Sequence, residues 1–138
     1  MALPPPGYSG TPLARKLGFA PGHKAWVADA PDGYRTWLQP LPEGVVWQRR
    51  PDAGTDLAHV FVVQSAVLQG HLEALRTALR PDAMLWVSWP KKAAKVATDI
   101  TEDRIRAAAL PLGWVDVKVC AVSPVWSGLK LVVRKALR

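Results

Sequence analysis

A chain of 138 residues with 49% hydrophobic and 21% charged side chains has the size and composition of one globular domain, which excludes a disordered polymer and leaves room for a single core. Its one cysteine, Cys120, excludes an intramolecular disulfide and any paired-cysteine zinc motif. The net charge of +7 is unevenly placed: residues 61–138 hold twelve of the eighteen Lys and Arg but only six of the eleven Asp and Glu, a field that favours phosphates, nucleic acid or acidic protein surfaces.

Residues 1–7, MALPPPG, are expected to form an extended or mobile tail, because successive prolines remove backbone donors. The tail has neither the basic start nor the apolar core of a signal peptide, and no apolar run is long enough to span a bilayer. A cytoplasmic protein without membrane contact is therefore expected. Residues 8–138 then form one α/β domain. GYSGTPLARKLGF predicts a short helix, with Ser9 or Thr11 as cap, Pro12 in the first turn and Gly18 as the stop. Lys24 to Asp29 predicts a strand closed by Pro31-Asp32-Gly33, Tyr34 to Leu38 a short helix, and GVVWQ, residues 44–48, a second strand.

LAHVFVV, residues 57–63, is an unbroken apolar run between polar flanks, the pattern of a strand covered on both faces. Ser65 is the expected cap of the next helix, in which Leu68, Leu72, Leu75 and Leu79 recur at helical spacing. AMLWVSW predicts another buried strand, and Thr101 followed by Glu102 and Asp103 a helix start with acids at the positive end of the dipole. Ile105, Ala108, Ala109 and Leu112 give that helix its apolar face. WVDVKVCAV and GLKLVVRKAL, joined by SPVWSG, predict a hairpin.

Strands alternating with helices predict a mostly parallel, Rossmann-like three-layer sheet that ends in an antiparallel hairpin. In such sheets the loops after the parallel strands share one edge, and ligands bind there. Asp29 to Tyr34, Gln64 with Ser65, Ser88 to Lys95, and Pro124 to Gly128 should meet at this edge, joined by Tyr8 to Thr11 from the start of the first helix.

The order of elements, with Leu79-Arg80-Pro81-Asp82-Ala83 standing where a Leu-x-Pro-Gly-Gly turn commonly precedes the fifth strand, resembles the S-adenosylmethionine-dependent methyltransferase fold in reduced form. More closely, YSGTPLARKLG, ADAPDGY, LWVSWPKK, TDITED, ALPLGWVDVKVCAV and VWSGLKLVVRK resemble an uncharacterised bacterial family carrying a domain of unknown function, over nearly all of residues 8–135. The methyltransferase resemblance implies a glycine-rich turn after the first strand and an acidic residue after the second. This chain has one glycine and a proline in Asp29-Ala30-Pro31-Asp32-Gly33, and Trp47-Gln48-Arg49-Arg50 at the second place.

No catalytic apparatus is apparent. His23, His59 and His71 form no close ligand pair for a metal. Cys120 has no evident base, and on simple alternation lies on the side of Asp116 and Lys118. Asp29 and Asp32 stand at the ligand edge but suit turn chemistry. The strongest candidates are Lys91, Lys92 and Lys95, mobile point charges suited to phosphate or carboxylate, with a helix N-terminus adding backbone donors. Tyr8, Ser9, Thr11, Ser88 and Ser127 could add hydroxyls, and Trp89 and Trp126 flat faces, while Trp26 and Trp86 suit the core. The expectation is a binder of an anionic small molecule without a bound cofactor. The alternatives are a divergent methyltransferase, or nucleic-acid binding through Arg49, Arg50, Arg104, Arg106, Arg134, Lys135 and Arg138.

Overall fold

The computed structural model describes residues 11–138; the expected tail and the candidates Tyr8 and Ser9 lie outside the described residues. Six strands form one sheet: β1 (Lys24–Ala28), β2 (Val46–Trp47), β3 (Leu57–Phe61), β4 (Met84–Pro90), β5 (Trp114–Ala121) and β6 (Trp126–Val133). Their order is β2-β1-β3-β4-β6-β5. The first four strands are parallel, and β6 runs antiparallel to both β4 and β5. The helices are α1 (Leu13–Leu17), α2 (Tyr34–Trp37), α3 (Ser65–Ala78) and α4 (Glu102–Ala109). This is the α/β architecture expected, although the second strand shrinks to two residues.

Every residue of β3 is buried, because each face of the sheet is covered. Val60 on one face packs with Leu68, Leu72 and Leu75 of α3 and Ile105 of α4. Leu57 and Phe61, on the other face, pack with Leu13 and Leu17 of α1, Tyr34 of α2 and Trp86 of β4. Period-two alternation along β3 and β4 thus supplies two cores at once. The α3 leucine stripe is buried throughout, as its spacing predicts.

Trp86 fastens α1 to the sheet by donating its indole N–H to the Leu17 carbonyl at 2.8 Å. Gly18, at φ +93°, ends α1 with the Phe19 N–H donating to the Ala14 carbonyl, and a β-carbon there would stand 2.8 Å from Met84 Sδ. At the opposite edge from the expected ligand loops, Arg80 of the Leu79–Ala83 turn pairs with Asp56 at 2.6 Å and Asp82 at 2.7 Å. That turn is held by charge and hydrogen bonds where the resembling class uses glycines.

Two expected caps resolve differently. Thr101 caps α4, its hydroxyl accepting from the Arg104 N–H at 3.1 Å. Ser65 does not cap α3: it is the first helical residue, and its own N–H donates to the carboxylate of Asp99, 34 positions later, at 2.8 Å. No local pattern reveals that cap, since the chain folds back to supply it.

Candidate functional site

Strand order reverses between β1 and β3, so the connections leaving their carboxyl ends pass to opposite faces of the sheet, to α2 and α3, and leave a crevice at the topological switch point. There a cavity of about 280 Å³ is lined by Asp29, Phe61, Val62, Val63, Gln64 and Trp126, among others. Asp29 takes φ +57°, a left-handed conformation that a short polar side chain tolerates. Trp126 stands edge-on to Phe61, ring centres 5.1 Å apart. The walls are mostly apolar and the carboxylate of Asp29 is exposed at the mouth.

A second groove, of about 540 Å³, opens at the end of β4 on the α4 side. Trp89, Lys91, Lys92, Thr98, Thr101 and Glu102 line it with Pro90, Val96 and Ile100. After β4 the chain makes a single turn of 3-10 helix, Lys92–Ala94, closed by Lys95 at φ +55°. The Lys91 N–H donates to the Val125 carbonyl at 2.7 Å, which ties this loop to the β5–β6 turn. The loop then passes over the β3–α3 connection: the Thr98 hydroxyl donates to the Val63 carbonyl at 2.7 Å, and Asp99 reaches the N-terminus of α3.

The sheet therefore divides the expected cluster. Trp89 belongs to the core on the α3 and α4 side, whereas Trp126 packs against the α1 side. The two indoles cannot sandwich one ligand. Lys91, Lys92 and Trp89 share a groove, and Asp29 and Trp126 share the switch-point cavity. Thr11 lies in a third groove, between α1 and β5. Lys95 and Asp32 are exposed and line none of these three, and Ser127 sits within β6, in register between Trp89 and Ala121.

Ser88 needs a correction. It is fully buried, and its hydroxyl shares a hydrogen bond of 2.7 Å with His59 Nε2. His59 Nδ1 in turn meets the Tyr34 hydroxyl at 2.8 Å. The network lies inside the α1-side core, with the His59 ring stacked on Phe61 at 4.3 Å. A neutral imidazole has one donor and one acceptor nitrogen and so satisfies both neighbours at once. Burial holds the His59 imidazole neutral, lowering its pKa to about 3, and pushes the Tyr34 phenol up. Ser, His and Tyr in a chain suggest nucleophilic chemistry, yet all three are sealed from substrate, so their work is packing.

The N-terminus of α3, which follows β3 at the same edge, is occupied from within the chain. Asp99 takes that place at α3, and its hydrogen bond from the Ser65 N–H holds the carboxyl below its usual pKa. Replacing Asp99 with alanine is expected to lower the melting temperature at neutral pH. The contribution exists above the carboxyl's unfolded value and fades as pH falls through its depressed one, so the two proteins should converge in acid. A difference that persists unchanged at pH 2.5 would show that the carboxylate is not the cap.

Thr98 and Thr101 also line the Lys91 groove, and nothing in the sequence marks them as ligand residues, since Thr101 before Glu102 and Asp103 has the pattern of a helix cap. Among the described residues no group of His, Cys, Asp and Glu is arranged to hold a metal ion, and no helix is long and apolar enough to cross a membrane.

Strand order, the switch-point crevice and the antiparallel insertion of β6 define a methyltransferase-like Rossmann fold. A S-adenosylmethionine-dependent methyltransferase from Aquifex aeolicus superposes with a TM-score of 0.59 at 12% identity, over 87% of each chain. Fibrillarin from Aeropyrum pernix, solved with natively bound S-adenosyl-L-methionine, gives 0.56 at 12% identity, over 91% of this chain and 70% of that one. A protein of Bordetella parapertussis described as a possible exported protein gives 0.60 at 13% identity; this chain covers 65% of its length and 87% of its own. At such identities the likeness establishes the fold. No family model and no curated protein matches the sequence.

Proposed function

We propose that this protein binds an anionic small molecule in the groove of Trp89, Lys91, Lys92, Thr98 and Thr101. The observation that carries the reading is that Lys91, Lys92, Thr101 and Trp89 line one groove of about 540 Å³ at the end of a central parallel strand, while Thr98, its hydroxyl proton held by the Val63 carbonyl, shapes the wall. That volume lies within the range of small-molecule sites, and the carboxyl edge is where this architecture places ligands. Glu102 lines the same groove, but Arg106 pairs with it at 3.1 Å and draws its charge toward the helix.

Isothermal titration against panels of carboxylates and phosphate esters tests the proposal. Replacing Lys91 and Lys92 together with alanine should weaken the best ligand by about 10-fold to 100-fold, the effect of removing charge-assisted hydrogen bonds. The melting temperature should stay near that of the parent, because both side chains sit on the surface loop. Unchanged affinity in the double variant would remove the site.

A divergent methyltransferase is supported by the fold alone. The switch-point residues do not fit the class's cofactor. The turn after β1 carries Pro31 and one glycine, and Gln48 after β2 is engaged by Thr55 and Asp52. The cavity of about 280 Å³ also lies at the small end for such a ligand. S-adenosylmethionine belongs in the same titration, where saturable binding would favour this second reading.

A further inference from the structure

Trp114 and Asp116 of β5 face the helices α3 and α4: the Trp114 indole donates to the Leu72 carbonyl of α3, and Asp116 accepts from Arg106 of α4 at 2.9 Å. Strict alternation would send Lys118 and Cys120 to the same side. A bulge at Val117, between the register pairs Asp116↔Leu131 and Lys118↔Lys130, resets the strand. Lys118 instead reaches over α1, donating to the Lys16 carbonyl at 3.3 Å, and Cys120 packs at the margin of the α1-side core.

One extra residue thus moves a lysine away from the acidic side and gathers cations on the other. A groove of about 500 Å³ runs between α1 and β5, lined by Thr11, Arg15, Lys16, Lys118, Val119 and Cys120, with no carboxylate among the described residues of its walls. Lys130 is the direct cross-strand partner of Lys118. Like charges facing one another across a ladder repel, and burial together with Lys118 pushes the Lys130 ammonium down.

We propose that this groove is a binding site for the phosphate group of a small molecule, independent of the Lys91 groove on the opposite face. The Arg15 guanidinium fork, the Lys118 ammonium and the Thr11 hydroxyl form a donor set that a phosphate dianion accepts, and an anion beside Lys118 offsets the charge that Lys118 presents to its cross-strand neighbour Lys130. The volume is that of a small-molecule site.

Pyrophosphate is the probe, titrated into the full chain carrying K91A and K92A so that the other groove does not contribute. Backbone amide resonances of Arg15, Lys16 and Lys118 to Ala121 should shift together with one dissociation constant, and Lys118→Gln and Arg15→Gln should each weaken binding about tenfold. Shifts confined to other residues, or affinity unchanged in both single variants, would overturn the site. An oligonucleotide that displaces pyrophosphate with affinity growing with length and collapsing with salt would overturn the small-molecule assignment. The amide map requires no substitution in the groove itself, so it decides the matter even if a variant folds poorly.

Discussion

Replacing His59 with alanine should cost about 3–5 kcal/mol of stability, the combined effect of a core cavity and two buried hydroxyls losing their shared partner. Both Tyr34 and Ser88 are buried, so neither hydroxyl can turn to water. The wild-type histidine carries a second, titratable signature. Its pKa is about 3 in the folded protein against an ordinary value of 6.5. Between those values the unfolded chain binds a proton that the folded chain does not, so stability rises with pH through this window and levels off above it. The slope from this one group approaches about 1.4 kcal/mol per pH unit.

Urea unfolding measured from pH 7.5 to 4.5 separates the two effects. His71, also pushed down by partial burial, contributes in the same direction, so the informative quantity is the difference between wild type and His59→Gln. That difference should narrow as the pH falls. The Tyr34→Phe variant should lose stability but keep the wild-type pH slope, since the imidazole remains buried. Equal slopes in wild type and His59→Gln would mean that His59 is protonated or open to water in the native state.

Trp86→Ala should be as severe, again about 3–5 kcal/mol, because the ring is fully buried and α1 rests on it. Trp86→Phe separates packing from hydrogen bonding. It retains most of the apolar contact and strands the Leu17 carbonyl, one of the terminal carbonyls that a helix cannot satisfy internally, for about 1–2 kcal/mol. Guanidinium unfolding gives both values, and hydrogen exchange locates the damage. Amides of α1 should lose protection more than those of α3, which packs on the other face of the sheet. A loss below 1 kcal/mol for the alanine variant would contradict the placement of Trp86 as the anchor of α1.

The consequences of these two residues reach the proposed sites. His59 and Ser88 cross-link neighbouring strands just beneath the carboxyl edge, and Phe61, stacked on His59, forms the floor of the switch-point cavity. Trp86 fixes α1, which supplies Arg15 and Lys16 to the phosphate groove. Each variant should therefore be tested for folding before it is used in a binding experiment.

By itself the sequence determined the elements and their burial. The unbroken run LAHVFVV permits only a strand covered on both sides, and the leucine stripe of residues 68 to 79 permits only a helix lying on a sheet. Thr101 with its following acids announced the start of α4, and the stop at Gly18 was equally plain, because caps and breakers act through neighbours in the chain. Lys91 and Lys92 could be set at the carboxyl edge from alternation alone.

Tertiary structure decided which of those edge residues face one another. Trp89 and Trp126 stand on opposite faces because the register of β6 against β4 pairs Trp126 with Pro90 and Ser127 with Trp89. Ser88 was spent on His59, a partner 29 positions away, and α3 was capped by Asp99 from the far side of a strand and a loop. The bulge at Val117 sent Lys118 and Cys120 to the face that alternation denies them. In each instance the deciding partner is distant in sequence, and no local propensity records it, because register and hydrogen-bond pairing are settled only when the two cores close on the sheet.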